Sequence, residues 1–543
     1  MNRRLPSPWL LLALFALGLL LVFLLWPLAN LLHGSVAGAG GSGWAQLLEE
    51  PRYLRALGNT LLLGALVTGC ASVLGVSLAY VTARFDFPGK ALVAVLPVCT
   101  LVVPEVIVSQ TWLMLLGNTG LLTRALEDHL GLALPSFYGW PGLVLVMSLV
   151  YYTYIYLGTL AAIRGFDAQL EEAAQSLGVP PAKARLQVML PVVLPAVLAS
   201  GLLVYTLVVG NFAIATLLGG KVQLLSVLTY LSFVSEMGTN AGLQSALATL
   251  SIAIVAGVLF LQRWLVGRKR YEIVQGRSAP AQRLRGVRGA LLGAATALFI
   301  LLSSLPLLTV LASAFTRSRG PVMHWGQFSL ENLERVLLRS PEPILNTLAY
   351  GALATLVGIL LSVVISYLVI KKKNLFTPAI DYLAMLPLAM SGTVLGIGLV
   401  MTFNSGPLAL SGTAAIIVVA FVIRRFPFGV RSASATLYNI PDSIEEASIS
   451  LGVPPLRSFF KVVLPLMAPA VAAAAVLTWT TIVAELSASL VVYSAGRETI
   501  TIQVFRLVET GLQGQAAAYG LVLVLLTLVP VVIATRVFRI KVF

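Results

Sequence analysis

One polar sequence occurs twice in this chain. The run EEAAQSLGVPPAKARLQVMLP at residues 171–191 returns at residues 445–465 as EEASISLGVPPLRSFFKVVLP. Most of the remaining sequence is apolar, so each copy is a polar segment between long hydrophobic stretches. Because two copies of one loop imply two copies of the structure around it, the repeat predicts a duplicated fold.

Each copy predicts a helix, a sharp turn and a second helix. An acidic pair opens the run, Gly178 or Gly452 ends the first helix, and a pair of prolines follows at identical spacing. Glycine can adopt the left-handed conformation that closes a helix. Proline then prevents that helix from continuing. The two copies are therefore expected to have the same local structure.

The composition indicates a protein that spans a lipid bilayer many times. Of 543 residues, 58% are hydrophobic and only 10% are charged, which is not typical of a soluble protein of this length. A membrane helix needs about 20 mostly apolar residues, and roughly twelve such stretches occur. The predicted spans are 9–32, 56–83, 91–117, 139–163, 191–218, 243–266, 289–313, 344–370, 378–402, 409–430, 464–492 and 513–537.

The basic residues predict that both termini are cytoplasmic. Lys and Arg collect in short cytoplasmic loops, and this orientation places most of the 36 Lys and Arg residues, with both polar repeats, on that side. The net charge of +15 is spread over many loops without an aromatic platform for bases, so nucleic acid is not an expected partner.

The chain is predicted to consist of two six-helix halves. Residues 1–266 form the first half, the basic and polar segment 267–288 forms a cytoplasmic linker, and residues 289–543 form the second half. Asn59-Thr60 opens the second span and Asn346-Thr347 opens the eighth. The expected fold is an all-α polytopic membrane protein with about 12 transmembrane helices in parallel repeats.

The repeated loop resembles the signature cytoplasmic loop of permease subunits in type I binding-protein-dependent ABC importers. That signature is Glu-Ala-Ala, three residues, Gly, nine residues and then Val-x-Leu-Pro, and Ser448 replaces its second Ala in the second copy. The resemblance implies that the loops seat coupling helices in an ATPase. The residues assigned to coupling are Glu171, Glu172, Ala173, Ala174, Gly178, Glu445, Glu446, Ala447, Ser448 and Gly452.

The resemblance also implies the partners. We expect a homodimeric ABC ATPase on the cytoplasmic face, a periplasmic or lipid-anchored substrate-binding protein outside, and a location in the bacterial inner membrane. The chain has no phosphate-binding loop of the form GxxxxGK[S/T]. It is therefore expected to bind no cofactor and to have no catalytic residues, while the partner ATPase uses ATP and Mg²⁺.

Three polar residues within spans are candidates for the translocation path. Glu105, Asn211 and Glu485 lie in predicted spans, where ionisable groups usually face a cavity or a partner. The offset that aligns the repeated loops also aligns Asn211 with Glu485. A structural hydrogen bond between packed helices is an equally good explanation. The tyrosines at 151–156 are expected to be core or interfacial residues.

The cargo is less well defined by the sequence. The second half, with PLAMSGTVLGIGLVMTFNSG, most resembles ferric iron permeases, and carboxylates suit a hard cation. Thiamine, phosphonate and sugar-phosphate importers remain alternatives; we expect no Lys or Arg deep within a span, which disfavours a phosphorylated cargo. Whether the chain binds a metal itself stays open. An ion-coupled secondary transporter and a membrane enzyme are the other classes considered.

Overall fold

The fold is predominantly helical, as predicted. The structure, a computed structural model, describes residues 8–37, 43–87, 89–91, 93, 97, 103–234, 241–267, 281–283, 286–320 and 322–536. Within these ranges, 10 helices are long and apolar enough to cross a membrane, or 11 if one bent pair is counted as a span. Ten of the predicted spans correspond to these ten helices and the ninth corresponds to the bent pair, whereas the tenth, 409–430, has no counterpart among them.

The first part of the chain contains thirteen of the described helices. Leu21–Leu25 and Arg185–Met189 form π-helical turns within longer helices. The α-helices are α1 (Pro8–Leu20), α2 (Trp26–Ala37), α3 (Gly43–Glu49), α4 (Pro51–Arg84), α5 (Glu105–Leu116), α6 (Leu121–Leu130), α7 (Trp140–Gly165), α8 (Ala168–Ser176), α9 (Pro181–Ala184), α10 (Leu190–Val209), α11 (Ala213–Leu218), α12 (Leu225–Val234) and α13 (Ala241–Gly267).

The second part repeats this order with some changes. Arg335–Arg339 and Phe459–Val463 are π-helical, and Leu386–Ala389 is a 3₁₀ turn. The α-helices are α14 (Gly286–Ala314), α15 (Glu331–Glu334), α16 (Glu342–Lys371), α17 (Thr377–Met385), α18 (Gly392–Phe403), α19 (Ala414–Tyr438), α20 (Asp442–Ser450), α21 (Pro455–Ser458), α22 (Leu464–Val483), α23 (Ser489–Val492), α24 (Ile500–Glu509) and α25 (Gln513–Arg536).

Four short strands accompany the helices. β1 (Phe85–Asp86) pairs in parallel with β2 (Gln282–Arg283), and β3 (Thr316–Arg319) forms an antiparallel hairpin with β4 (Val322–Phe328). β2 lies within the predicted linker. Residues 268–280 and 284–285 of that linker, like both chain termini, lie outside the described residues.

The chain forms two compact units, and their residue ranges differ from those of the two predicted halves. The first-half unit contains residues 50–228 and 253–313, and the second-half unit contains residues 1–49, 229–252 and 314–543. Helices α1 and α2 thus belong to the unit built mainly from the second half, and most of α14 belongs to the other. The boundaries at 266 and 289 remain a prediction about the sequence repeat.

Small and hydroxylated residues let the long helices approach closely. In the first-half unit, a Cβ on Gly75 would lie 2.8 Å from the Tyr152 carbonyl oxygen. In the second-half unit, the Ser362 and Ser366 hydroxyls donate to the carbonyls of Phe426 and Val430 at 3.0 and 2.9 Å. Such contacts hold membrane helices together where no hydrophobic driving force acts between them.

Three predicted spans differ in detail from the structure. Helix α5 starts only at Glu105, because Pro104 is its N-cap and cannot continue a preceding helix; most of residues 91–102 lie outside the described part. The predicted span 378–402 is bent by 114° between Ala389 and Gly392. The predicted span 409–430 is the longer helix α19, which carries Arg424, Arg425 and Arg431.

Candidate functional site: two repeat loops and two polar clusters

The first repeat loop, residues 167–191, has the predicted helix-turn-helix form. The Asp167 carboxylate caps α8 by accepting a hydrogen bond from the Gln169 amide at 3.0 Å. Gly178 follows the helix with φ of 87°, a left-handed conformation that strains any residue with a Cβ. Pro181 then starts the next helix. The sequence signals at these positions therefore match the observed turn.

The second repeat loop, residues 441–465, repeats the backbone of the first. Gly452 has φ of 86°, and the same three hydrogen bonds close each turn. The bonds are Leu177 N–H to Ala173 O, Gly178 N–H to Gln175 O and Val179 N–H to Ala174 O in the first loop, and Leu451 N–H to Ala447 O, Gly452 N–H to Ile449 O and Val453 N–H to Ser448 O in the second.

The two glutamates of each loop have opposite environments. Glu171 is 4% exposed, and its carboxylate binds Arg84 at 2.6 Å and Arg185 at 3.2 Å. Its neighbour Glu172 is exposed. Buried Glu171 therefore anchors the loop to the end of α4, whereas Glu172 is accessible to a partner.

In the second loop, one glutamate is likewise buried and its neighbour exposed, but the buried glutamate has different partners. Glu445 is 6% exposed, accepts a hydrogen bond from the Tyr367 hydroxyl at 2.6 Å and pairs with Lys372 at 2.8 Å. Glu446 is exposed. At the start of α20, the Lys371 ammonium donates to Asp442 and thereby lowers the pKa of that carboxyl. The sequence analysis did not predict which glutamate of each pair is buried and which is exposed.

Each turn also presents one exposed leucine. Leu177 is 86% exposed and Leu451 is 85% exposed, and they occupy the same position in the two repeats. Both loops therefore present an exposed carboxylate, Glu172 or Glu446, and an exposed leucine at equivalent positions.

The described part of the linker lies beside the first loop. A cavity of about 490 Å³ is lined by Arg84, Glu171, Glu172, Arg185 and Gln282, among other residues. Gln282 belongs to β2, which pairs with β1 at the end of α4. The linker thus forms one wall of the cavity next to the first repeat loop.

The first polar cluster joins Glu105, Tyr151 and Asn211. The Glu105 carboxylate accepts hydrogen bonds from the Tyr151 hydroxyl at 2.7 Å and the Asn211 amide at 2.6 Å. The Asn211 side-chain oxygen accepts from the Ile214 amide at 3.0 Å, so it caps α11. Two of the three predicted path residues are therefore in direct contact, and Tyr151, expected to be a core or interfacial residue, is buried and links them.

The second polar cluster joins Gly392, Arg425 and Glu485. Glu485 is 3% exposed and forms an ion pair with Arg425. Its other carboxylate oxygen accepts from the Ala488 amide at 3.2 Å, next to α23. A Cβ on Gly392 would lie 2.9 Å from this carboxylate, so glycine leaves the space that Glu485 occupies.

The sequence analysis expected no Lys or Arg deep within a span, yet Arg424 and Arg425 lie near the middle of α19, the helix of the predicted span 409–430. Arg424 donates to the carbonyls of Pro387 and Met390. With these charges, α19 is not among the described helices that are apolar enough to cross a membrane. A direct signal was present, since two adjacent arginines inside a predicted span need local partners.

A tight metal centre is not evident in the described residues, which contain no group of three or more His, Cys, Asp and Glu side chains able to hold a metal ion.

Comparison with known proteins places this geometry in a family. The profile described as "Binding-protein-dependent transport system inner membrane component" matches the chain twice, at residues 71–271 and 354–540. Each match contains one repeat loop and one of the two polar clusters.

Several curated proteins are similar along the chain. "Ferric transport system permease protein FbpB" of Actinobacillus pleuropneumoniae is 24% identical, over 88% of this chain and 70% of that protein. "Fe(3+)-transport system permease protein FbpB 2" of Haemophilus influenzae is 27% identical over 98% of both chains. "Putative 2-aminoethylphosphonate transport system permease protein PhnU" of Salmonella typhi is 29% identical over 49% of this chain and 93% of that protein.

Proposed function

Because the chain belongs to the family of binding-protein-dependent transport system inner membrane components, we propose that it is the permease of an ABC importer for ferric iron. The observation that carries the importer assignment is the pair of matching repeat loops, each with one buried and one exposed glutamate. Two equal loops suit a partner that presents two equal grooves.

The proposed partner is a homodimeric ATPase on the cytoplasmic face. Glu172 and Leu177 in the first loop, and Glu446 and Leu451 in the second, are the accessible groups for its two grooves. Glu171 and Glu445 hold each loop to the adjacent long helix. ATP and Mg²⁺ act in the ATPase, and closure of its dimer changes the exposure of the path by movement of the permease halves.

The remaining parts of the proposal concern location and cargo delivery. The distribution of Lys and Arg supports cytoplasmic termini in the bacterial inner membrane. A substrate-binding protein, periplasmic or lipid-anchored, delivers the cargo on the opposite face. The family description, which names binding-protein-dependent transport, supports this partner.

Ferric iron is the favoured cargo. Two relatives described as ferric or Fe(3+) transport permeases align with most of the chain. The Glu105 carboxylate lies in one cluster with the phenolic oxygen of Tyr151, and carboxylate oxygens suit a hard cation. Both observations favour a metal cation over an uncharged cargo.

A phosphonate is the second candidate cargo. The PhnU relative aligns with about half of the chain, and Arg424 and Arg425 supply positive charge in α19 that the sequence prediction had excluded. Guanidinium groups bind phosphate-like anions well. The sequence analysis disfavoured a phosphorylated cargo because it expected no Lys or Arg deep within a span. These two arginines remove that objection.

The test is ATP-dependent uptake into proteoliposomes that contain this chain, its ATPase and its binding protein. Labelled ferric iron, 2-aminoethylphosphonate and thiamine are offered in parallel, and each protein is omitted in turn. Iron uptake that requires all three proteins supports the proposal. ATP-driven uptake of 2-aminoethylphosphonate without iron uptake would replace the cargo, and uptake without the ATPase would overturn the importer assignment.

A further inference from the structure

Three residues that line the cavity beside the first repeat loop have counterparts beside the second. The offset that aligns the two loops also aligns the residue that follows α9 with the residue that follows α21, and the Asn-Thr pairs of α4 and α16 align the ends of those helices. The aligned pairs are Tyr80 with Tyr367, Arg84 with Lys371, and Arg185 with Phe459. The surroundings of the two loops can therefore be compared residue by residue.

Aromatic rings pack together beside the second loop. The ring centroids of Tyr367 and Phe459 lie 4.6 Å apart. The Trp9 ring of α1 lies 4.8 Å from the first of these rings and 6.1 Å from the second. Tyr367 also donates its hydroxyl to the buried carboxylate of Glu445. The second loop therefore has three aromatic side chains next to its buried glutamate.

The corresponding position beside the first loop is open. Arg185 stands where the second loop has a phenylalanine, and Tyr80 lines the cavity of about 490 Å³ together with Arg84 and Gln282. This volume lies within the range of about 300–1,000 Å³ that is usual for small-molecule sites. The first loop therefore has room for a ligand where the second loop has aromatic side chains.

The charges around the cavity favour an anion. Arg84 and Arg185 share the single carboxylate of Glu171 at 2.6 and 3.2 Å, so this trio has one positive charge in excess. The Nε of Arg84 is buried and has no hydrogen-bond partner among the described residues. A carboxylate or phosphate oxygen would accept from such a donor in a charge-assisted hydrogen bond. Glu172 also lines the cavity, but it is exposed and water screens its charge.

We propose that this cavity binds a small oxyanion, a carboxylate or a phosphate, through the guanidinium groups of Arg84 and Arg185. The second loop has Lys371 and Phe459 at these positions, so the site belongs to the first loop. A bound anion joins the end of α4 to the turn after α9 and reduces the motion of the loop between them. The regulatory consequence rests on the proposed function: the anion changes coupling at one of the two ATPase contacts.

Citrate and inorganic phosphate are the probes for this proposal. Each is titrated calorimetrically against the full chain in nanodiscs of zwitterionic lipid at low ionic strength, and we expect saturable binding of at least one of them. Arg185→Phe introduces the residue of the second loop and should weaken this binding roughly tenfold or more, because a charge-assisted hydrogen bond is lost. Lys183→Ala is the matched control. It removes an exposed cation of the same loop that does not line the cavity, and it should change the affinity by about twofold or less.

A cavity-filling variant separates occupancy of the cavity from general attraction of anions. Ala281 is exposed and lines the cavity, so Ala281→Trp adds an indole ring, as Trp9 does beside the second loop, and keeps every charge. It should abolish saturable binding while thermal unfolding without the anion stays unchanged. Retained affinity in Arg185→Phe or in Ala281→Trp, or no saturable binding of either anion to the unmodified chain, would overturn the proposal.

The outcome is distinguishable from failure of the proposed function, because the titration requires neither the ATPase nor the cargo. Anion binding that depends on Arg185, together with no effect of the permease on ATP hydrolysis, would support the site and reject the proposed function. In the reconstituted importer, the bound anion should change stimulated hydrolysis in the unmodified chain but not in Ala281→Trp. An equal response of both proteins would overturn the regulatory role.

Discussion

The two repeat loops have stayed alike, whereas the two polar clusters have diverged. The loops share their turn hydrogen bonds, a left-handed glycine, a buried glutamate and a leucine with nearly equal exposure. At the three cluster positions, the first half has Glu, Tyr and Asn while the second has Gly, Arg and Glu. The difference is informative because both regions belong to the same duplicated scaffold.

The proposed partner and cargo would constrain the two regions differently. A homodimeric ATPase would present the same groove twice, so both loops must fit one shape. The two polar clusters need not be identical to handle one cargo, so their charged residues can differ between the two halves. The comparison predicts that variants of the loops affect energy coupling, whereas variants of the clusters affect cargo handling or local stability.

The largest expected effect comes from reversing the exposed charge in both repeat loops of one variant. Glu172→Arg with Glu446→Arg should abolish most of the ATPase activity that the permease stimulates, since each charge-assisted contact contributes about 1.5–3 kcal/mol, equivalent to roughly tenfold or more per loop. Each single variant should have a similar, smaller effect. Membrane insertion, measured by protease accessibility, serves as the control; full coupling in the double variant would remove both residues from the interface.

The second effect concerns the ion pair of the second cluster. Glu485→Gln leaves the partly buried Arg425 guanidinium without its carboxylate. Breaking a fully buried ion pair costs about 3–5 kcal/mol, so we expect a loss at or below the lower end of that range. Arg425→Tyr with Glu485→Asn places the first-half residue types at both positions and should recover at least half of that loss. Thermal unfolding of the purified chain in detergent measures both, and equal destabilisation by the single and double variants would contradict an equivalent scaffold.

Some of this comparison could be predicted from the sequence. The repeat loops were predictable because glycine, proline and the acidic pair act locally, within one turn of chain. The all-helical fold followed from the length of the apolar runs. The alignment of Asn211 with Glu485 also followed from the offset between the two loops.

Other features depend on contacts that spacing does not reveal. Glu171 and Glu172 are adjacent and chemically identical, and the buried one is distinguished by its ion pairs with Arg84 at the end of α4 and with Arg185. The sequence analysis did not single out Arg425, because it lies within a stretch that was predicted as an apolar span. Its role depends on Glu485, which lies 60 residues away in the chain.

A smaller effect should be equal in the two loops. Gly178→Ala and Gly452→Ala each force a Cβ into a left-handed backbone conformation, which costs about 1–2 kcal/mol. Both should increase hydrogen exchange of the turn to a similar extent. A glycine elsewhere with ordinary φ and open space, such as Gly257 in α13, provides the control substitution. Strong asymmetry between the two loop variants would weaken the claim that the turns are equivalent.

The smallest effect is a pH dependence confined to the second loop. The Lys371 ammonium lowers the pKa of Asp442, so the stabilising contact is present above the usual carboxyl range and is lost as pH falls through the lowered folded-state pKa. The corresponding position in the first loop is Ala168. Hydrogen exchange at the start of α20 should be constant from about pH 5 to 8 apart from intrinsic exchange. Below that range it should rise, and Asp442→Ala should remove the rise.

The separation of coupling from cargo handling is tested most directly by measuring ATP hydrolysis and cargo uptake in the same proteoliposomes. We compare three proteins, each with the ATPase and binding protein. They are the double variant that combines Glu172→Arg and Glu446→Arg, the single variant Glu105→Gly, and the unmodified chain. The loop variant should lose stimulated hydrolysis and uptake together, whereas the cluster variant should lose uptake and retain hydrolysis. Parallel loss of both activities in both variants, or uptake that survives in the loop variant, would contradict the account.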